Sequence, residues 1–143
     1  MTLLSAPAVP LDQRPASAPR PPVSSGRPRR VLAVVLDRDD VEAHLPLACH
    51  LARETARELH VAVLLPRLPF RFDSARAAGN ADRAATDLIT LASRRTAAAG
   101  VRVRTTVHLL PGLDGRHRER VVERTTDRLA RRLDAQLAPR VAR

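Results

Sequence analysis

Val31-Leu-Ala-Val-Val-Leu36 and Val61-Ala-Val-Leu-Leu65 are the stretches that decide the fold of this chain. Both are strand-length runs of aliphatic side chains without polar alternation. That is the pattern of a strand buried on both faces, and such strands belong to parallel sheets. Between the runs, Asp37, Asp39 and Asp40 offer capping oxygens and negative charge for a helix start. Val41, Leu45, Ala48, Leu51, Ala52, Thr55 and Leu59 then recur at helical spacing and form one buried stripe. The segment therefore reads as strand, crossover helix and parallel strand, joined in the right-handed sense. Pro46 falls early in the stripe, which predicts a helix that either begins near Leu45 or kinks there.

Downstream the pattern continues in kind. A second helix is expected from Asp82 to Ala99, with Ala85, Leu88, Leu91, Ala92 and Ala99 on its inner face and Gly100 capping it in the left-handed conformation. From Val101 to Leu109 apolar and polar residues alternate, as in an edge strand with one solvated face, and arginines guard that edge. Gly112 and Gly115 mark a turn before a long helix, Arg116 to Ala138, whose stripe is Val122, Thr126, Leu129, Leu133 and Leu137 and which Pro139 ends. The loop Pro66 to Asp73 carries both phenylalanines, Phe70 and Phe72, which are expected to cover the sheet edge.

Residues 1–29 contain seven of the 12 prolines, among Ser, Ala and Arg, and carry too little apolar surface to offset the entropy of ordering. They are read as a disordered tail, residues 30–139 as one α/β domain, and 140–143 as a C-terminal tail. The start of the chain lacks a basic segment ahead of an apolar one, and no run approaches the roughly 18 apolar residues of a membrane helix. With Cys49 as the single cysteine, no internal disulfide can form, and a cytoplasmic setting is expected. All 25 basic residues are arginine and the net charge is +10, which makes phosphate-rich partners a natural thought. An abundance of Arg and Ala without Lys also follows from GC-rich coding alone. The absence of Trp and Tyr removes the stacking platforms of single-strand and RNA-recognition domains.

Three phrases carry a family likeness: RRVLAVVLDRDD (29–40), HLPLACHLARETARELHVAVLLP (44–66) and AAAGVRVRTTVHLLPG (97–112). Together they resemble the first two thirds of a universal stress protein domain, although other nucleotide-binding α/β folds, such as electron-transfer flavoproteins, share much of the pattern. The resemblance implies a three-layer α/β/α fold with a parallel sheet. In ATP-binding members the Asp ending the first strand and an apolar residue of the second strand contact the adenosine part, which would fall to Asp37 and Val63. The family continues with a fourth strand and a phosphate loop of the form G-x2-G-x9-G-[ST]. No such strand is legible near Leu133 to Val141, where LDAQLAPRV has no β-branched run and no glycine exit. One skewed register of the loop exists, with Gly112 and Gly115 followed at the right distance by Thr125 and Thr126, but it sets Thr125 where close backbone approach to phosphate calls for glycine.

Nothing else in the sequence assembles a site. His44, His50, His60, His108 and His117 are not spaced as helical metal pairs and read as scattered surface or half-buried residues. Cys49 on the alanine-rich stripe reads as core, and no G-x-S-x-G nucleophile elbow occurs. The expectation is a degenerate universal-stress-like domain with strand order 3-2-1 and helices on both faces. No catalytic or metal site is expected, and ATP binding, through the residual contacts Asp37 and Val63, should be weak or absent. The first strand would then lie at an exposed edge, to be covered by the last helix or by another chain, which implies a homodimer or a protein partner. The alternatives are a basic nucleic-acid accessory and an ATP-binding stress protein with an atypical phosphate loop built on Gly112, Gly115 and Thr126.

Overall fold

The computed structural model describes Gly26, residues 28–67 and residues 74–140. Phe70, Phe72 and most of the proline-rich stretch lie outside those residues. The elements run β1 (Arg30–Val35), α1 (Arg38–Glu54), β2 (Glu58–Pro66), α2 (Ser74–Ala99), β3 (Val103–Leu110), α3 (Arg118–Leu133) and β4 (Ala135–Leu137). All strands are parallel, in the order β3-β2-β1-β4.

The aliphatic runs do what their composition requires. Alternate residues of β1 and β2 feed two separate cores, which accounts for aliphatic side chains on both faces of the sheet. Val31, Val35, Val61 and Val63 pack with Val41, Leu45 and Ala48 of α1 and with Leu88 and Ala92 of α2. Leu32, Val34, Ala62 and Leu64 pack on the opposite face with Leu113 and with Val122 and Leu129 of α3. Helices α1 and α2 thus share one face and α3 covers the other, as right-handed crossovers demand when the chain steps one way through β1, β2 and β3 and then returns past β1. β3 is an outer strand, as its alternation predicts.

Asp37 caps α1: its Oδ1 accepts the Asp40 N–H at 2.9 Å, while Asp40 Oδ2 accepts the Leu36 N–H at 2.9 Å, a reciprocal closure of the helix start. The helix begins at Arg38 and runs on through Pro46, so the start near Leu45 is not observed. Pro46 and Glu42 are both exposed. Leu59, expected on the helix stripe, opens β2 instead, because α1 ends at Glu54 and the chain reverses through Ala56 at φ +51°. Gly100 takes the left-handed conformation that its capping position calls for, at φ +66°.

The expected three-strand sheet is overturned. α3 stops at Leu133 rather than Ala138, Asp134 turns the chain at φ +47°, and Ala135–Leu137 add a fourth parallel strand to Arg30–Leu32. The Arg29 N–H donates to Asp134 O at 3.0 Å and the Ala138 N–H to Leu32 O at 2.9 Å, closing the pairing at both ends. β1 is therefore an inner strand and its edge is covered by the chain itself along Arg30–Leu32. A three-residue strand is held by backbone groups alone, so Ala-Gln-Leu needs no β-branched signature. Its entry turn uses Asp, a residue that tolerates the left-handed region, in place of glycine.

Asp134→Gly should stabilise the chain by up to about 1 kcal/mol, because glycine adopts the turn without a Cβ clash, whereas Asp134→Val should destabilise it by about 1–2 kcal/mol. Urea denaturation midpoints of the two variants check both signs.

Candidate functional site

The sheet reverses its order of assembly between β1 and β4, and in open parallel sheets the crevice beyond the strand ends at such a point is where ligands bind. β4 pairs only with Arg30–Leu32 of β1. A cavity of about 690 Å³ lies beyond the ends of β1 and β4, within the range of small-molecule sites. Leu36 and Asp37 line it from the end of β1, Asp40 and His44 from α1, and Leu137 and Arg140 from the end of β4. The remaining wall is the flank of α3 that presents Arg118, Glu119, Val122, Glu123, Thr126 and Asp127.

Asp40 anchors the floor. It is 3% exposed, and its carboxylate meets His44 Nε2 at 3.1 Å, the Leu36 N–H at 2.9 Å and the Arg140 guanidinium at 3.7 Å. These contacts tie the first strand, the first helix and the chain end together. Arg140, assigned to a tail by the sequence, is thereby part of the crevice wall. On α3, Glu119, Glu123 and Asp127 recur every fourth residue, are exposed, and make no ion pair among the described residues. Like charges at that spacing repel one another on a helix. Thr126, between them and 7% exposed, has a buried hydroxyl with no hydrogen-bond partner in the described structure. In all, the lining holds five carboxylates against two guanidinium groups.

The residues singled out from sequence are distributed unevenly over this site. Asp37 lies in the crevice at the end of β1. Val63 is fully buried in β2 against the α1 and α2 layer and does not line the crevice. Gly112, at φ +79°, and Gly115 form the turn between β3 and α3, away from the crevice lining. Thr125 and Thr126 stand inside α3, so the spacing that mimics a phosphate loop is a turn followed by helix. Thr126 alone of that set reaches the crevice. Sequence reasoning missed Asp40, His44, Glu119, Glu123, Asp127 and Arg140; the four-residue recurrence of acids on the last helix was the available signal.

The histidines are less superficial than their scatter suggests, since His44 and His60 are both buried, while His50 pairs with Glu54 at 3.0 Å on the surface. Cys49 is buried in the core, and burial pushes its thiol up from its ordinary range. Among the described residues no group of three or more His, Cys, Asp or Glu is placed to hold a metal ion. Likewise no described helix is long and apolar enough to cross a membrane.

A second polar cluster sits on the sheet face that α3 shares. His60 Nε2 and His108 Nε2 lie 2.8 and 3.0 Å from the Thr106 hydroxyl, within hydrogen-bond distance of both rings. Burial holds the His60 imidazole below its ordinary value, helped by Arg30, His108 and Arg104 and opposed by Glu58. Burial and Arg132 do the same to His108. Folded chain then binds protons less readily than unfolded chain, so stability is complete above the ordinary histidine value of 6.5 and is lost as pH falls from there through the two lowered values. Urea midpoints measured across that window should fall with acidification. The fall should be shallower in the double variant His60→Gln/His108→Gln.

Comparison with solved structures places the fold. The chain is similar to a crystal structure of a protein from the universal stress protein family of Burkholderia pseudomallei, with a TM-score of 0.52 and 14% identity, over 81% of this chain and 98% of that one. No family model and no curated protein matches the chain. The architecture is a universal-stress-like α/β fold, with its sheet ordered β3-β2-β1-β4.

Proposed function

We propose that the chain is a non-enzymatic domain of universal-stress type that works by regulation or partner binding in a bacterial cytoplasm, and that ATP is held weakly or not at all. The observation that carries this reading is the crevice at the switch point. It has the position and size of a ligand site, yet its walls are predominantly acidic and no glycine-rich turn lines it. A triphosphate needs converging backbone N–H groups and positive charge. Here the α3 acids would repel it, and Arg140 is already engaged with Asp40. The polar groups at the floor serve one another, which supports a holding role rather than a catalytic one.

With β1 occupied by β4, partner contact belongs to the outer strands. β3 offers a long outer edge with Val107 and Leu109 exposed, and β4 offers Leu137. A second copy of the chain or another protein would pair there. A second reading, a nucleic-acid accessory, draws on the exposed row Arg120, Arg124 and Arg128 along the outer side of α3 and on the net charge of +10.

Calorimetric titration of the full chain with magnesium-ATP should give no saturable binding tighter than the millimolar range. Micromolar binding lost on Asp37→Ala would replace this reading with that of an ATP-binding stress protein. In a separate test, affinity for duplex DNA or RNA should be weak and non-specific. The second reading requires instead a steep loss of affinity between about 50 and 200 mM salt, reduced when Arg120, Arg124 and Arg128 are neutralised together.

A further inference from the structure

We propose that the outer edge of β3 takes an extended peptide in which acidic and apolar residues alternate, added to the sheet as a further strand. The inference rests on the partner-binding reading above, and it names the edge, the binding mode and the chemistry of the partner.

The edge is set up to receive a strand. Among the described residues β3 pairs with β2 and with no other strand. The Leu59 N–H donates to Arg102 O at 2.9 Å and the Arg67 N–H to Leu110 O at 2.8 Å, so the even-numbered residues of this segment direct their backbone groups to β2. Alternate residues of a parallel strand present those groups to opposite sides. Val103, Thr105, Val107 and Leu109 therefore turn both N–H and C=O outward along an eight-residue strand.

The two faces that flank this edge differ in chemistry. Side chains alternate as well, so those of Val103, Thr105, Val107 and Leu109 share the face covered by α1 and α2, where Val103 joins the core. Val107 and Leu109 stay 39% and 59% exposed. The even-numbered side chains share the α3 face, as Leu110 does. There the Arg104 side chain is 67% exposed, and its carboxylate neighbour Glu58, at 4.0 Å, is shared with Arg30 at 3.4 Å. Arg102, just ahead of the strand, is exposed, and the exposed Arg132 of α3 lies near enough to His108 to disfavour its protonation. Among the described residues Glu58 is the one carboxylate in an ion pair with β3.

A strand added here sets each of its side chains on the face of the β3 residue it opposes, within cross-strand contact distance. Alternate residues of the occupant then meet Val107 and Leu109 on one face and Arg104 and the side of His108 and Arg132 on the other. Apolar residues suit the first and carboxylates the second. This is recognition by strand addition, in which main-chain bonds hold the peptide and alternate side chains select it. The same arginines select against a second copy of the chain. Its β3 would bring Arg104 again to a side that already holds an excess of guanidinium groups, and Val103–Leu110 contains no carboxylate to offset it.

The test uses the full chain in about 0.15 M salt and fluorescence anisotropy of a labelled octapeptide of alternating Glu and Val, beside an octapeptide with the same residues in two blocks. Saturable binding of the alternating peptide is expected, with hydrogen exchange slowed at the amides of Thr105, Val107 and Leu109. Arg104→Glu should weaken that binding roughly tenfold or more and take up instead an octapeptide of alternating Lys and Val, a reversal that loss of folding cannot produce. Arg38→Gln, which removes a charge at the start of α1, should change nothing. The proposal is overturned by folded parent chain that does not bind the alternating peptide, by equal binding of the block peptide, or by binding that adds no protection at those amides. A free chain that sediments as a dimer with the same amides already protected also overturns it, since the occupant is then a second copy, while the partner-binding reading stands. An ATP titration separates the two claims: failure of peptide binding alone defeats this inference, whereas micromolar ATP binding lost on Asp37→Ala defeats the functional reading beneath it.

Discussion

Reversal of direction after β3 is the constraint on which the rest of the structure depends. Right-handed crossovers make the face a helix occupies a consequence of the way the chain is stepping. Two steps outward from β1 put α1 and α2 on one face, and the return past β1 puts α3 on the other. β1 is then enclosed by helices above and below, with β2 along one side and β4 along half of the other. Only an uninterrupted aliphatic run can occupy that position. The same reversal parts α1 from α3 beyond the ends of β1 and β4, and the cavity is the gap between them.

What the sequence disclosed follows from how much free energy each element takes from its own side chains. β1, β2, α1 and α2 bury continuous or periodic apolar surface, and β3 shows one wet face, so each carries a pattern long enough to read. β4 does not. Its three residues contribute backbone hydrogen bonds to β1 and little else, with Gln136 and Leu137 exposed, so composition has no hold on it. The same shortness misled the reading of α3, whose stripe appears to continue to Leu137 because a helix followed by a tight turn and a strand happens to return a leucine to nearly the right interval. Pro46 stands inside α1 rather than in its first turn, because the Asp37 cap sets the helix start ahead of it.

For the site, sequence reasoning reached the strand end and no further. Asp37 was legible because capping and crevice position coincide at the last turn before α1. The importance of Asp40 was not, since one of three neighbouring acids cannot be ranked until the fold shows which is enclosed. Val63 was named through the resemblance, and parity along β2 sends it into the layer beneath α1 and α2, away from the crevice lining. Parity on a doubly buried strand cannot be recovered from apolar residues alone, because both faces accept them.

α3 shows why charge totals are a poor guide to what this chain binds. The helix has three sides rather than two: Val122, Thr126 and Leu129 are buried, with Val122 and Thr126 also reaching the cavity, Glu119, Glu123 and Asp127 are exposed along the cavity wall, and Arg120, Arg124 and Arg128 are exposed away from it. Adjacent acid and base pairs along the sequence look like ordinary surface helix, and summed over the chain they leave an excess of arginine. Folding sorts them: both rows are exposed, but of the two only the acids border the cavity, together with Arg118. The cavity lining therefore carries a local charge opposite in sign to that of the whole chain.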